Sequence, residues 1–313
     1  MKVIDAHCDL LSKLLLNPSL DCADEASGLD VTLAGWRASQ VKLQWLAIWL
    51  PERLESGSFH DVLRCLDLYE SHVAKHPEVA LVRTKEDLRL LETDGRIGTL
   101  LALEGADALA GSLAHLRTLY KLGVRSLGLT WNYANWAADG VLEPRQGGFT
   151  RKGQALVREC DRLGILVDVS HLCEPAFWEL TELTDRAFLA SHSNAYSVCD
   201  HPRNLKNDQI EAIVRREGMI GLNFYPPFIA RGGKATIDDL LRHTERFCEL
   251  GAERYLGLGS DFDGIDIKVK GLEHAGCFGN LTEALLRRYS QEMTEGFMFR
   301  NWQRFLEREL PDA

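Results

Sequence analysis

Short apolar runs recur along the chain, and most of them are followed by a segment with helical periodicity. Val, Ile and Leu dominate these runs, which favours strands that are buried on both faces. Eight strands are predicted, over residues 3–9, 42–50, 98–104, 125–131, 165–171, 187–193, 219–225 and 255–261. Helices are predicted over residues 59–76, 84–91, 113–122, 150–163, 175–183, 208–216 and 237–250.

This alternation predicts an α/β fold, specifically a (β/α)8 TIM barrel. The segment 10–29 interrupts the pattern, and because it is mixed and Asp-rich we expect a long loop there. An open doubly wound sheet is the alternative, but no GxGxxG motif follows the first strand. Because no Pro/Gly/Ser-rich linker divides the chain, we expect a single domain over residues 1–313.

Composition excludes several classes of function. The chain has 313 residues with 36 basic and 46 acidic side chains, and it contains no long basic run, which argues against binding of nucleic acid. Its eight cysteines are scattered without a CxxC pair, which argues against a zinc ribbon or a disulfide scaffold. No apolar run reaches membrane-spanning length and no signal peptide precedes the first strand, so we expect a cytoplasmic protein with no membrane partner.

Side chains of the kinds that bind metals stand at the ends of five of the eight predicted strands. They are His7 and Asp9 on the first strand, followed by Glu104, His171, His192 and Asp261 on later strands. Each of them alone has a structural explanation, such as a helix cap or a turn. In a TIM barrel, however, the C-terminal ends of the strands meet at one mouth, where catalytic residues lie. Their recurrence at strand ends therefore predicts a metal site at this mouth.

The number of ligands bears on how many metal ions are bound. Three imidazoles and one carboxylate, divided between two ions, leave both ions short of ligands unless another carboxylate bridges them. Glu104 is the candidate bridge. Two metals about 3.5–4 Å apart can share a hydroxide and polarise a carbonyl or phosphoryl oxygen together. Asp261 then remains to take a proton from the attacking water and deliver it to a leaving amine. The predicted reaction class is metal-assisted hydrolysis.

Five motifs resemble the membrane-dipeptidase family (renal dipeptidase, peptidase M19) of the amidohydrolase superfamily. They are DAHCD, LALEGADAL, VDVSH, ASHSNAYSVCDHPRN and GLGSDFDG, in the same order as in the family from Val3 to about Asp263. The resemblance implies dipeptide substrates, with tolerance for a D-residue at the C-terminal position. Family members are often dimers, which implies a homodimer as one option for this chain.

The resemblance also implies roles for individual residues and two Zn²⁺ ions per chain. One zinc would lie on His7, Asp9 and the bridging Glu104, and the other on Glu104, His171 and His192. Asp261 would act on the water and the leaving amine, and Arg203 would bind the C-terminal carboxylate of the substrate. A set of histidine and carboxylate ligands also admits manganese or cobalt.

The expected substrate pocket departs from the family at one position. Trp131, which is followed by Asn132, stands where mammalian members have a His that is thought to contact the substrate and stabilise the oxyanion. Either one of these two residues supplies the hydrogen bond, or the metal alone stabilises the tetrahedral intermediate. Arg203 suits bidentate recognition of a carboxylate. Tyr225, at the end of the seventh strand, is expected to line the pocket, although a core position suits it nearly as well.

Two other functions are compatible with these residues. Other amidohydrolases, such as lactonases, phosphotriesterase-like hydrolases and deaminases, use the same kind of site. Several of them use a carboxylated Lys as the bridge, whereas no Lys ends a strand here, and a mononuclear deaminase would leave Glu104 without a role. An inactive metal-binding scaffold would not need the proton transfer that Asp261 provides. The leading prediction is therefore a binuclear zinc dipeptidase.

Overall fold

The computed structural model describes residues 1–51 and 58–312. Within these residues it contains nine parallel strands: β1 Val3–Asp5, β2 Val41–Trp49, β3 Val79–Leu81, β4 Ile97–Glu104, β5 Val124–Gly128, β6 Leu166–Asp168, β7 Leu189–Ala190, β8 Met219–Leu222 and β9 Leu256–Leu258. β1 pairs with both β2 and β9, and β2 pairs with β4, so eight of the strands close into a ring. The predicted (β/α)8 barrel is confirmed.

One of the nine strands, β3, was not predicted from the sequence and does not belong to the ring of eight. Its residues pair with Ile97–Thr99 at the start of β4, whereas β5 joins β4 only from Leu101 onward. β3 therefore lies beside the barrel at the amino end of β4 and takes no place in the ring. A strand of three residues, two of them only half buried, gives too short an apolar run to be recognised in the sequence.

The helices of the described residues surround the barrel. They are α1 Leu10–Leu16, α2 Leu33–Ala38, α3 Phe59–Leu68, α4 Lys85–Asp94, α5 Leu113–Lys121, α6 Arg151–Leu163, α7 Glu174–Leu183, α8 Asn207–Arg215, α9 Pro226–Ile229, α10 Ile237–Glu249, α11 Phe278–Leu286, α12 Gln291–Glu295 and α13 Asn301–Glu309. A capping box formed by Thr84 and Asp87 begins α4. In the described parts of the chain, no helix combines the length and the apolar character that a membrane crossing requires.

The prediction of a loop over residues 10–29 was wrong in its first part. Residues 10–16 form α1, and the leucines at positions 10, 11, 14 and 15 are buried along one face of this helix. The acidic residues farther along the segment had obscured this apolar spacing. As a consequence, Asp9 lies at the N-terminal end of a helix and not within the first strand.

The barrel is closed at its amino end by the C-terminal helix. Trp302 of α13 is fully buried, its indole N–H donates a hydrogen bond to the carbonyl oxygen of Leu258 at 3.1 Å, and its ring lies 5.4 Å from that of Trp45. A side chain at Gly257 would overlap this indole ring. Inward-facing side chains of the strands pack against α13, among them Ile4, Leu43, Leu100, Leu166, Leu189 and Met219. The opposite, carboxyl end of the barrel is left to polar residues.

Candidate active site

All the predicted metal ligands lie at the carboxyl end of the barrel. The strands are shorter than predicted, so most of these residues stand on the loops that directly follow the strands. Glu104 is the last residue of β4, while His7 and Asp9 follow β1, His171 follows β6, His192 follows β7 and Asp261 follows β9. The tight turns beyond the strand ends direct these side chains into one shared space.

Glu104 lies at the centre of the cluster. Its Oε2 is 3.6 Å from Nε2 of His7, while its Oε1 is 3.1 Å from Nε2 of His171 and 3.7 Å from Nε2 of His192. The two oxygens of one carboxylate therefore face different imidazoles. This is the arrangement that a carboxylate needs in order to bridge two metal ions.

The remaining ligand atoms lie on the two sides of Glu104. On one side, Asp9 Oδ2 and Asp261 Oδ1 are 3.5 and 3.9 Å from Nε2 of His7, and ligand atoms of these three residues lie within 4.8 Å of one another. On the other side, the Nε2 atoms of His171 and His192 are 3.0 Å apart. The site thus offers two adjacent groups of donors.

Two structural features fit this donor set to metal ions. Nε2 of His7 is buried, and no described residue forms a hydrogen bond with it. A Cβ atom at Gly264 would overlap Oδ2 of Asp9, so the glycine keeps the space between the carboxylates open. Imidazole and carboxylate groups are typical ligands of zinc, manganese and cobalt. The residues therefore suit divalent metal ions of this kind.

The His7 side of the site is strongly acidic. Burial lowers the pKa of His7, but the carboxylates of Glu104, Asp9 and Asp261 outweigh burial and raise this pKa to about 10. Burial also raises the pKa of Glu104 to about 8, against the opposing effect of His7. Three carboxylates packed around one imidazole stabilise a positive charge among them. The same three carboxylates would stabilise the positive charge of a bound metal ion.

Hydrogen bonds behind His171 and His192 orient their rings. Oδ1 of Asn132 lies 2.8 Å from Nδ1 of His171, and because an amide oxygen only accepts, this Nδ1 carries the proton. The Ser191 hydroxyl donates a hydrogen bond to the Asp168 carboxylate and accepts one from Nδ1 of His192. The distance between Oγ of Ser191 and Nδ1 of His192 is 2.8 Å. Burial lowers the pKa of both histidines well below its usual range. Both rings are therefore neutral and present the Nε2 lone pair to a metal.

Ser191 and Asp168 were not predicted from the sequence to belong to the site, and Asn132 was predicted to contact the substrate. A signal for the first two was present, because Ser191 directly precedes His192 and Asp168 ends a buried strand just before His171. Nothing local in the sequence connects Asn132 to His171, because the two residues follow different strands.

A cavity of about 330 Å³ opens beside the cluster. The structure places all four residues predicted to bind substrate in its wall, namely Arg203, Trp131, Asn132 and Tyr225. Other wall residues were not singled out from the sequence, namely Trp49, Phe228, Ile265 and Asp266. The rings of Trp49 and Trp131 lie 5.2 Å apart, so aromatic side chains form part of the wall.

Arg203 is a buried cation, with only 5% of its surface exposed. Its Nη2 donates to the carbonyl oxygen of His192 at 3.3 Å, and no described residue accepts a hydrogen bond from its Nε. Burial lowers its pKa to about 10, against the opposing effects of Asp261 and Glu104, so the guanidinium stays charged at neutral pH. A buried guanidinium with an unpaired N–H group is suited to an anionic partner that enters the cavity.

The backbone at the mouth of the barrel adopts an uncommon conformation. His171, Asp261 and Asp263 have φ angles of 68°, 66° and 64°, in the left-handed region that L-residues rarely enter. The Asp263 carboxylate accepts hydrogen bonds from the backbone N–H groups of Asp30 and Val31. These bonds hold the backbone at Asp263 in its left-handed conformation. Conformations of this kind are retained where the surrounding structure enforces them, typically at functional sites.

The closed barrel and the histidine–carboxylate cluster at its mouth define a metal-dependent hydrolase of the TIM-barrel class. Within this class, the sequence identifies one family. The family model described as membrane dipeptidase (peptidase family M19) matches residues 1–310, and the chain belongs to this family.

Individual relatives agree with this assignment. The uncharacterized dipeptidase C965.12 of Schizosaccharomyces pombe is 31% identical over 323 residues, which cover 95% of this chain and 78% of the relative. Dipeptidase aclJ of Aspergillus oryzae is 35% identical over 198 residues, which cover 62% of this chain and only about half, 47%, of the relative. The chain is thus similar to dipeptidases along most of its own length.

Solved structures show the same similarity in three dimensions. The dipeptidase AC, a metallopeptidase of family M19, superimposes with a TM-score of 0.91 at 28% identity and covers 100% of this chain and 99% of its own. A metallopeptidase from Rhodobacter sphaeroides, liganded with a phosphinate mimic of the dipeptide L-Ala-D-Ala, gives a TM-score of 0.90 at 27% identity, with 99% of each chain covered.

Proposed function

We propose that this chain is a binuclear zinc dipeptidase that accepts an L- or a D-residue at the C-terminal position of its substrate. His7, Asp9 and Glu104 hold one zinc ion, and Glu104, His171 and His192 hold the other. The observation that carries this proposal is that the two oxygens of Glu104 face different imidazoles.

Zinc ions held by these residues would lower the pKa of the attacking water and polarise the scissile carbonyl. Asp261 takes the proton of the attacking water and delivers it to the leaving amine. The Nδ2 group of Asn223 donates a hydrogen bond to Oδ2 of Asp261 at 2.9 Å and so fixes this carboxylate at the edge of the cavity. Burial raises the pKa of Asp261, which favours a group that alternates between its charged and neutral forms.

Arg203 binds the C-terminal carboxylate of the dipeptide. Its burial and its unpaired Nε support this role, since a carboxylate can satisfy the guanidinium group. The side-chain oxygen of Asn132 already accepts a hydrogen bond from His171. Of the two neighbours Trp131 and Asn132, Trp131 is therefore the one that contacts the substrate in the cavity. Tyr225 lines the same cavity. Tolerance of a D-residue is supported by the R. sphaeroides relative, whose ligand mimics L-Ala-D-Ala.

The proposal is tested by the turnover of zinc-loaded protein on L-Xaa-L-Xaa and L-Xaa-D-Xaa dipeptides and on the C-terminal amide of each dipeptide. Metal per chain is counted in the same samples. We expect two zinc ions at the barrel mouth, hydrolysis of free dipeptides, and much slower hydrolysis of the amides because they lack the carboxylate that Arg203 binds.

Three other outcomes would contradict the proposal. A single ion at the barrel mouth would rule out the bridging role of Glu104. Hydrolysis of lactones or other amides, with no dipeptide cleaved, would indicate another amidohydrolase activity on the same site. Bound metal with no turnover on any of these substrates would indicate a metal-binding scaffold.

A further inference from the structure

A second group of side chains that can bind a metal lies apart from the barrel mouth. We call it the outer cluster, and it consists of Asp21 and Cys22, between α1 and α2, and His76, which follows the π-helical residues 69–74. One ligand atom from each of the three residues lies within 4.8 Å of the other two. None of them takes part in the proposed hydrolysis.

The state of the individual side chains suggests a missing partner. Cys22 is a fully buried thiol outside any disulfide, and its Sγ donates a hydrogen bond to the carbonyl oxygen of His72 at 3.4 Å. Nε2 of His76 is buried with no hydrogen-bond partner among the described residues. This Nε2 lies 3.8 Å from Oδ1 of Asp21, whereas Lys75 contacts the other oxygen, Oδ2, at 3.2 Å. The oxygen that faces the histidine is thus free of the lysine, and it accepts a hydrogen bond from the backbone N–H of Ala23 at 2.9 Å. An unpaired imidazole nitrogen beside a carboxylate and a thiol is an unfavourable arrangement that a cation would relieve.

We propose that Asp21, Cys22 and His76 bind a zinc ion, with water as the fourth ligand. Thiolate, imidazole and carboxylate together are ligands of zinc and not of magnesium or calcium. Ligand atoms on one tetrahedral zinc lie about 3.3–3.8 Å apart, so small side-chain rotations are enough to close the outer cluster around an ion. The Asp21 side chain is 38% exposed, which gives the ion access from solvent.

The ion would connect two segments that are distant in the sequence. Asp21 and Cys22 lead from α1 toward α2, and α1 begins directly after Asp9, while His76 lies just before β3. Zinc in the outer cluster therefore stabilises the packing of these segments and takes no part in hydrolysis. Because zinc binds cysteine as the thiolate, binding of the ion should release the thiol proton.

Cobalt is the probe that separates the outer cluster from the barrel mouth. Co²⁺ occupies zinc sites, and its coordination by a thiolate gives a charge-transfer absorption band in the near ultraviolet. The ligands proposed at the barrel mouth include no thiolate, so the band reports only a cysteine site. We expect metal-free full-length protein, titrated with Co²⁺, to develop this band, and Cys22→Ser to lack it and to hold one zinc fewer per chain with dipeptide turnover unchanged.

Cys277→Ser is the matched control, because Sγ of Cys277 also lies close to an imidazole, 3.3 Å from Nε2 of His274. This variant should keep the band. Absence of the band in the unmodified protein, its persistence in Cys22→Ser, or its loss in Cys277→Ser would overturn the proposal. If Cys22→Ser fails to fold, His76→Gln decides, with at least about tenfold weaker Co²⁺ binding expected. Because the band is read without substrate, its outcome is independent of whether the protein cleaves dipeptides.

Discussion

At the scale of single residues, Glu104 and Asp261 are both partly exposed carboxylates at the barrel mouth, but their contacts differ. Glu104 lies within 3.7 Å of imidazole nitrogens of His7, His171 and His192. Among the imidazoles of the described residues, Asp261 lies within 4 Å only of His7, at 3.9 Å, and it accepts a hydrogen bond from Asn223. The first geometry suits a ligand that two ions share, and the second suits a group that stays free to exchange a proton.

This difference predicts different losses on substitution. Glu104→Ala should lose metal and activity together, because the bridge between the ions is removed. Asp261→Asn should keep both ions but reduce kcat by about 10²- to 10⁴-fold, because an amide cannot accept the proton. Metal analysis beside steady-state kinetics measures both effects. If Asp261→Asn lost as much metal as Glu104→Ala, the roles assigned to these residues would be wrong.

Asn132 offers a test of ligand orientation. Asn132→Ala removes the hydrogen bond to Nδ1 of His171, so we expect metal affinity to fall by about 10- to 100-fold while the protein stays folded. Affinity is measured by competition with a chelator. Trp131→Phe serves as the control, because it changes the adjacent cavity wall but leaves this hydrogen bond in place. Equal metal affinity in the two variants would show that Asn132 does not position His171.

At the scale of elements, α10 supports the loop that carries His192 and Arg203. The backbone N–H of Ala195, in this loop, donates to Nδ1 of His243 at 3.0 Å, and Nε2 of His243 lies 2.9 Å from the carbonyl oxygen of Ile229. One neutral tautomer satisfies both contacts. Burial lowers the pKa of His243 to about 4, which agrees with this geometry because a second proton would meet the N–H of Ala195.

The lowered pKa predicts a pH dependence of stability. Between pH 6.5 and about 4, His243 is protonated in the unfolded chain but not in the folded chain. The contribution of His243 to the free energy of unfolding is therefore fully present above pH 6.5 and is lost as the pH falls through this window. The loss amounts to at most about 3 kcal/mol. The free energy of unfolding is measured in urea at several pH values for the unmodified protein and for His243→Gln. As the pH falls through this window, the slope for His243→Gln should be shallower than that of the unmodified protein by up to about 1.4 kcal/mol per pH unit. Parallel curves for the two proteins would contradict this prediction.

At the scale of the whole molecule, stability and chemistry lie at opposite ends of the barrel. The amino end is filled by Trp302 and the apolar side chains around it, and the carboxyl end holds the ionisable cluster. This division is typical of TIM barrels, whose active sites lie at the carboxyl ends of the strands. Changes at the amino end should therefore affect unfolding more than turnover.

Trp302→Ala tests this separation. Loss of a fully buried indole that packs against Gly257 should lower the free energy of unfolding by about 3–5 kcal/mol, since it leaves a cavity in the barrel. Well below the new unfolding temperature, kcat should change little. Glu307→Ala, on the exposed face of the same helix, is the control and should leave stability nearly unchanged. A cost below about 1 kcal/mol for Trp302→Ala would contradict the role of α13 in closing the barrel.

Prediction from the sequence failed for short elements and at the ends of strands. The barrel and the residue types at its strand ends were predicted because apolar runs and chain order are local features. α1 was missed because acidic residues that follow it hid a short apolar face, and β3 was missed because it is only three residues long. The strands were predicted too long, because the turn residues beyond them are buried like strand residues.

The sequence by itself determined the alternation of strands and helices, and it placed histidines and carboxylates after particular strands. Those features depend on propensity and on hydrophobic burial of each segment. Only the tertiary structure decided that one carboxylate, Glu104, divides its oxygens between imidazoles from three other loops, and that Asn132 orients His171. It also brought Cys22 to His76. These contacts join residues far apart in the chain, and they form only because closure of the barrel and packing of its outer helices fix where every loop begins.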